Sequence, residues 1–361
     1  MEEAPQDTSL ANLAVFNKYK AAGEIANAGL QFALSLCVPG ADIADLCTRS
    51  DLQLEESLQK IFNKKRLEKG IAFPTCVSVN NVCGYFSPLR EDSLPLEAGQ
   101  LIKVDLGVHI DGFIANAATT AIVGGASPIT GRAADLILAA HTAAEAGLRL
   151  MRPGNSNYQV TEAIQKSAAA YAVHPMEGCI SHQFKQHVID GNKCIINKET
   201  VDQRVEEVKF EPNEVYGLDV FVSTGEGKAR ESEVRSSVFK RNLEVTYSLK
   251  MKASRAFFAE VNDRFPTLLF TLRAFEDLSS AKMGVSECQK HMLVHSFPVL
   301  QEVAGELVAQ VKYTVAILPN KTLIIAGLPI DPATCQSDHT VIDPELLATL
   351  AINPDPKKAK K

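Results

Sequence analysis

The stretch KVDLGVHIDGFIANAATT, residues 103–120, constrains the fold more tightly than any other part of the chain. Asp-Gly at 111–112, flanked by alternating apolar residues, is a strong signal for a two-residue hairpin, because both central positions of a type I′ turn need positive φ. Such a turn pairs residue 110 with 113, and therefore 107 with 116. Side chains alternate between faces, so Asp105, Gly107 and Asn116 fall on one face. Asp105 and Asn116 are then diagonal neighbours, roughly 7–8 Å apart between Cα atoms. Two carboxylates so placed would suit a metal, but here the second is a neutral amide.

Around this hairpin the chain alternates helices and strands. Amphipathic helices are predicted at about 14–36 and 41–63, separated by VPGAD, and a β-branched strand leads into a loop over 70–88. Ile137, Ala140, Ala144, Leu148 and Met151 recur at helical spacing before RPG stops that helix, and Val160, Ile164, Ala168 and Tyr171 mark another over 157–172. A His-rich segment (174–190), the strand EVYGLDVFVSTG, a mixed helical stretch (about 254–295) and the strand ELVAQVKYTVAIL follow. The order helix pair, strand pair, helix pair, strand pair suggests two related halves without a visible sequence repeat.

With 46% hydrophobic and 22% charged residues, the 361-residue chain has the composition of a globular protein. No apolar run approaches the roughly 18 residues of a membrane span, so no membrane insertion is expected. The acidic start MEEAPQDTSL lacks the apolar core of a signal peptide. Eight cysteines without a CxxC pair suggest reduced thiols in a cytosolic or nuclear protein.

The net charge of −6 argues against nucleic acid until it is localised. Lys60, Lys64, Lys65, Arg66 and Lys69 cluster in one segment, and Lys240, Arg241, Lys250, Lys252 and Arg255 in a second. Lys357, Lys358, Lys360 and Lys361 form a third at the C-terminus. These segments hold fourteen basic residues against two acidic ones, leaving 23 against 41 elsewhere. Any one such run is ordinarily a solvated face. Three in an otherwise acidic chain point to phosphate backbones, which lysine and arginine clusters bind by releasing counterions. No motif for reading bases accompanies them.

Two charged residues sit in apolar strands. Asp219 in VYGLDVFV needs a partner if buried, and an Asp tied to backbone amides would meet that need without any site. Lys312 has polar neighbours at even positions, Gln310 and Thr314, as a solvent-facing lysine on an ordinary strand would. Other motifs fall away. STGEGKAR lacks the first glycine of a Walker A loop, where Val222 stands, and His182 and His187 do not form HExxH.

In order, GIAFPT, VNN, KVDLGVHIDGFIAN, SHQFKQHVIDG, EVYGLDVFVSTGEGKA, SRAFFAEVNDRF, FTLRAFED and AQVKYTVAILP resemble the proliferation-associated, ErbB-receptor-binding protein family. That family is similar to type 2 methionine aminopeptidases that have lost activity. The resemblance implies the α+β pita-bread fold: an acidic N-terminal extension (1–13), one domain over 14–350 with a helical insertion at about 241–297, and a Lys-rich tail (351–361).

In the peptidases two Asp, one His and two Glu bind two metals, and by motif these positions fall on Asp105, Asn116, Cys179, Asp219 and Lys312; the resemblance thereby implies a Lys312 inside the pocket, paired to Asp105 or Asp219. The substrate-side histidines are matched by Tyr85 and His187. Two carboxylates, a thiol and an ammonium are no recognised metal set, and a protonated lysine cannot ligate. Loss of the metals means loss of the activated water. The resemblance therefore implies no cofactor and no catalysis. It implies instead binding to ribosomal RNA, the large ribosomal subunit or other structured RNA, with roles in ribosome biogenesis, translation and growth, in cytoplasm, nucleus and nucleolus. Signalling receptors or transcriptional regulators stand as further partners, although PELLATLA departs from an LxxLL-type receptor motif. A residual metal-dependent methionine aminopeptidase is the competing reading.

Overall fold

The hairpin forms at the centre of the molecule. The computed structural model describes residues 7–63, 67–125, 128–201 and 203–355. Strand β1 (Lys69–Val79) is followed by β2 (Leu101–Ile110) and β3 (Phe113–Ile122). Asp111 and Gly112 have φ of 56° and 75°, as a type I′ turn requires, and the register places Ile110 against Phe113 and Gly107 against Asn116. Strands β4 (Ile180–Phe184), β5 (Cys194–Ile196), β6 (Glu214–Ser223), β7 (Val308–Leu318) and β8 (Lys321–Ala326) complete the main frame. The spatial order is β1-β2-β3-β7-β6-β4-β5, with β8 beside β7, and these pairings are antiparallel.

Period-two alternation decides which side of this sheet is dry. Ile102, Val104, Leu106, Val108 and Ile110 of β2 pack against helices α1 (Leu13–Leu36) and α2 (Ile43–Gln59). Tyr216, Leu218, Val220 and Val222 of β6, with Val311, Tyr313 and Val315 of β7, pack against α3 (Gly131–Leu150) and α4 (Asn157–Ala170). Each helix pair thus covers one half of the sheet. The alternate residues, including Asp105, Asp219, Gln310, Lys312 and Thr314, face the other side.

Residues 238–297 differ from the reading as a helical segment. Helices α5 (Lys252–Arg264) and α6 (Leu278–Lys290) pack on a three-stranded sheet of Val238–Arg241, Leu269–Thr271 and Val294–Phe297. Strands of three or four residues are too short to show alternation in sequence. The unit has its own core of Phe239, Phe257, Phe270 and Phe275. It is fastened to the first half by Arg273, which pairs with Asp51 at 3.1 Å and donates to Ser87 Oγ at 2.5 Å. Asp51 in turn accepts from the Thr75 amide at 2.8 Å.

Candidate functional site

One row of residues crosses the sheet and carries the site. Asp105 on β2 lies opposite Ala118 on β3, Ala118 opposite Lys312 on β7, and Lys312 opposite Asp219 on β6. Ala118 has only a methyl group, so the Lys312 side chain can reach past it. Lys312 Nζ lies 2.5 Å from Asp105 Oδ2 and 2.9 Å from Asp219 Oδ2. Its ammonium also sits 4.8 Å from the centroid of the Phe73 ring. Lys312 is thus the pocket lysine that the family resemblance implies, paired to both Asp105 and Asp219, and not the solvent-facing lysine of an ordinary strand.

Gln310, which sequence reasoning passed over as a polar neighbour, completes the cluster. Its Nε2 donates to Asp105 Oδ2 and to Asp219 Oδ1, at 2.9 Å each. One amide and one ammonium therefore span both carboxylates. The signal was present in the sequence: Gln310 and Lys312 are two apart on a strand and must share a face. Asn116 lies on the same face as expected, its backbone tied to Thr314 Oγ1.

Burial sets the protonation states. It pushes the Asp219 carboxyl up to about 6; the nearby Lys312 charge opposes this and Asp105 adds to it. Burial alone would neutralise Lys312, but the two carboxylates win and hold its ammonium above the usual lysine range. Burial raises the Cys179 thiol well above its ordinary value and lowers His182.

A cavity of about 200 Å³ opens over this cluster. Phe73, Tyr85, Phe184, Phe221 and Phe297 wall it, and Cys179 and His182 reach its edge. Tyr85 stands in the cavity wall with φ of 63°, its ring 5.2 Å from that of Phe297. His187 does not line the cavity, which corrects the expectation from motif order. Residues 185–188 close a tight turn through a Lys185–Val188 bridge. The turn carries the His187 ring against Gly112, with the His187 amide donating to Gly112 O at 2.8 Å.

The residues present do not fit a pair of divalent metals. The Lys312 ammonium stands between the two carboxylates, and three of their four oxygens accept hydrogen bonds from Lys312 or Gln310. Among the described residues no group of three His, Cys, Asp or Glu side chains converges as a metal site.

The basic candidates separate by what they already hold. Lys60, Lys250, Lys252 and Arg255 are exposed. Lys69 is not a free surface charge: its Nζ donates to Leu58 O at 3.0 Å and Ile61 O at 2.7 Å, closing the end of α2. Lys240 is likewise engaged, paired with Asp190 at 2.5 Å. Arg241 is half-buried beside Phe258, with Pro266 O 3.5 Å from Nη1. Lys64, Lys65, Arg66, Lys357, Lys358, Lys360 and Lys361 lie outside the described residues.

A curved antiparallel sheet backed by two helix pairs, with a polar cluster on its open face, is the pita-bread architecture. The metallopeptidase family M24 matches residues 17–234. ErbB-3 binding protein 1 of Solanum tuberosum is 45% identical across 100% of this chain and 92% of its own length. The curved DNA-binding protein of Schizosaccharomyces pombe is 39% identical across 99% and 96%. A solved thermophilic Arx1 superposes with a TM-score of 0.90 at 32% identity, covering 95% of this chain and 99% of that one. A methionine aminopeptidase from Thermotoga maritima shares the fold, with a TM-score of 0.59 at 18% identity over 88% and 98%. The chain belongs to metallopeptidase family M24, in its proliferation-associated, ErbB-3-binding branch.

Three outcomes follow from the cluster. Lys312→Met should destabilise the fold by about 3–5 kcal/mol in thermal or urea melts, because it strands two buried carboxylates. A solvent-facing lysine would give a change within about 0.5 kcal/mol. Combining Lys312→Glu, Asn116→Asp, Cys179→His and Asp219→Glu should let added Co²⁺ raise the melting temperature by mass action, while the parent shows no shift.

The third concerns pH. Asp219 binds its proton more tightly folded than unfolded, with ordinary and folded values of 3.8 and about 6. Its contribution is complete below the ordinary value and declines as pH rises through the folded one. The parent should therefore lose stability relative to Asp219→Asn between about pH 4 and 6, with little further change to pH 8. Paired melts across that range would refute this if the difference stayed flat.

Proposed function

We propose that the chain is a non-catalytic, RNA- and ribosome-associated regulator of ribosome biogenesis, translation and growth, acting in cytoplasm, nucleus and nucleolus. The observation that carries the non-catalytic part is the position of Lys312. Its ammonium lies 2.5 and 2.9 Å from the carboxylates that two divalent ions would need, and it repels any cation placed there. Water activation by metal has no ligand set to support it. A residual peptidase reading would require that ammonium to leave and a donor set to form from an amide and a buried neutral thiol.

The RNA part rests on where free positive charge remains. Lys250 and Lys252 are exposed where the chain enters α5, and the exposed Arg255 in its first turn also donates to Lys250 O at 2.6 Å. Tyr247 and His291 stack beside this segment with centroids 3.6 Å apart. Basic side chains around a stacked aromatic pair can hold a phosphate backbone and a base without reading sequence. The relative named as a curved DNA-binding protein supports nucleic acid as the partner class. A structured RNA, with ribosomal RNA and the large subunit foremost, fits both the charge and the family resemblance. A purely protein-binding scaffold, including one for a receptor of the kind named in the ErbB-3-binding relatives, is the second reading.

Nuclease-sensitive co-purification with large-subunit ribosomal RNA is the direct test. Replacing Lys250, Lys252 and Arg255 together by Glu should weaken RNA binding and reduce the salt slope by about 2–3, at roughly 0.7–0.9 for each phosphate no longer neutralised. Unchanged affinity and slope in that folded variant would assign the segment to solvent. Salt-insensitive association with no RNA in the complex would favour the scaffold.

A further inference from the structure

Away from the concave face, a groove runs where α2 meets the inserted unit. Leu52 and Glu55, one turn apart on α2, line one side of it, and Arg264 and Phe265 at the end of α5 line the other. Ile71 and Pro74 of β1 also line this space, which measures about 130 Å³.

The charges around the groove are matched except at one place. Arg273 pairs with the buried Asp51 at 3.1 Å. Arg264 donates to Glu260 at 2.5 Å and to Ala274 O at 2.8 Å, with its guanidinium 4.8 Å from the Phe265 ring centroid. Glu55 is different. It is half-buried with its carboxylate open to solvent, and among the described residues it has no hydrogen bond or ion pair. Burial raises the Glu55 carboxyl, Asp51 adds to the rise, and Arg264 across the groove opposes it. Like charges at i and i+4 on a helix repel, and Arg273 relieves only Asp51. Three carboxylates, Asp51, Glu55 and Glu260, therefore stand against two guanidinium groups, and the uncancelled negative charge sits on Glu55.

That charge and its apolar surroundings restrict what can enter. A phosphate would meet the Glu55 carboxylate. An apolar side chain would strip water from that carboxylate and offer it no partner. A bare cation would leave Leu52, Ile71, Pro74 and Phe265 facing water. Lysine and arginine side chains answer both demands, because each carries a charged head on an apolar stem. The space suits one such side chain, being well below the roughly 300–1,000 Å³ of drug-sized sites. Leu52, 53% exposed, offers an apolar contact to residues beside the inserted one, which a free small cation lacks.

We infer that the groove between α2 and the inserted unit is a docking site for a protein partner that inserts one arginine or lysine side chain. The charged head pairs with Glu55, the stem lies against Ile71, Pro74 and Phe265, and a neighbouring apolar residue of the partner covers Leu52. This surface is separate from the one assigned to RNA, which lies at the start of α5, whereas the groove uses its end.

Methyl-resolved NMR of the full chain, labelled at Ile and Leu, tests the site with the capped peptide acetyl-Leu-Arg-Leu-amide. The Leu52 and Ile71 methyl signals should shift and saturate. Replacing the peptide's arginine by citrulline keeps the shape and removes the charge, and should weaken binding at least about tenfold. Acetyl-arginine-amide, which lacks the flanking leucines, should also bind more weakly than the tripeptide. Glu55→Gln should weaken the arginine peptide about tenfold while leaving the melting temperature unchanged, since Glu55 holds no partner in the fold. The proposal is overturned if those methyls do not shift, if the citrulline peptide binds as tightly, or if Glu55→Gln binds as the parent does. Equal affinity for acetyl-arginine-amide would assign the groove to a free small cation and overturn it as well.

Discussion

The Lys312 ammonium joins the two halves of the sheet at the place where the backbone does least. Between β3 and β7 the ladder contributes one paired position, Lys312 with Ala118. Side chains supply the rest of that seam. Thr120 Oγ1 donates to Gln310 O and accepts from Gln310 N, both at 2.8 Å. Thr314 Oγ1 bonds to the Asn116 backbone in the same reciprocal way. Over this seam Lys312 and Gln310 connect Asp105 on one half to Asp219 on the other. A buried like-charged pair would otherwise repel across the seam, at a cost that low dielectric magnifies. The ammonium makes that pair tolerable, and the concave face keeps its shape because of it.

A second buried charge cluster works at the edge of the same frame. Arg273 reaches from the inserted unit to Asp51 on α2, and to Ser87 and Thr75 around β1. The insertion therefore does not hang from its two connecting segments alone. Its sheet packs over the cavity, placing Leu269 and Phe297 in the wall. Glu302, buried just beyond the insertion, accepts from the Gly227 and Lys228 amides and from Ser223 Oγ. That carboxylate accounts for the glycine-rich STGEGKAR loop. The loop wraps an internal anion, and a phosphate has no vacant amide cradle there.

The charge segregation so visible along the chain is only partly a surface property. Lysines are long enough to spend their charge on nearby carbonyls and carboxylates, and Lys69 and Lys240 do so. Lys60, Lys250 and Lys252 keep theirs in solvent, while the exposed Arg255 also ties its guanidinium to Leu249 O and Lys250 O. A run of basic letters therefore bounds the size of a phosphate-binding surface without locating it.

Local rules determined much of this protein from the sequence by itself. Asp-Gly dictated the turn, the turn dictated the register, and the register put Asp105 and Asn116 on one face. Helical periodicity located α1 through α4 because those helices are long and bury one continuous stripe. Resemblance along the whole chain supplied the fold and named the five positions to inspect. Tertiary structure alone decided what those positions do together. The resemblance implied an inward Lys312, but that it reaches both carboxylates depends on β7 pairing with β6, whose residues lie about a hundred positions away and carry no local mark of that pairing. Gln310 became a member of the cluster for the same reason. His187 left the cavity because a four-residue turn rotated it toward Gly112, a change of direction that motif order does not encode. That Asp105 Oδ1 and Asn116 Oδ1 receive no hydrogen bond among the described residues is invisible in sequence, since an orphaned oxygen is defined by everything packed around it.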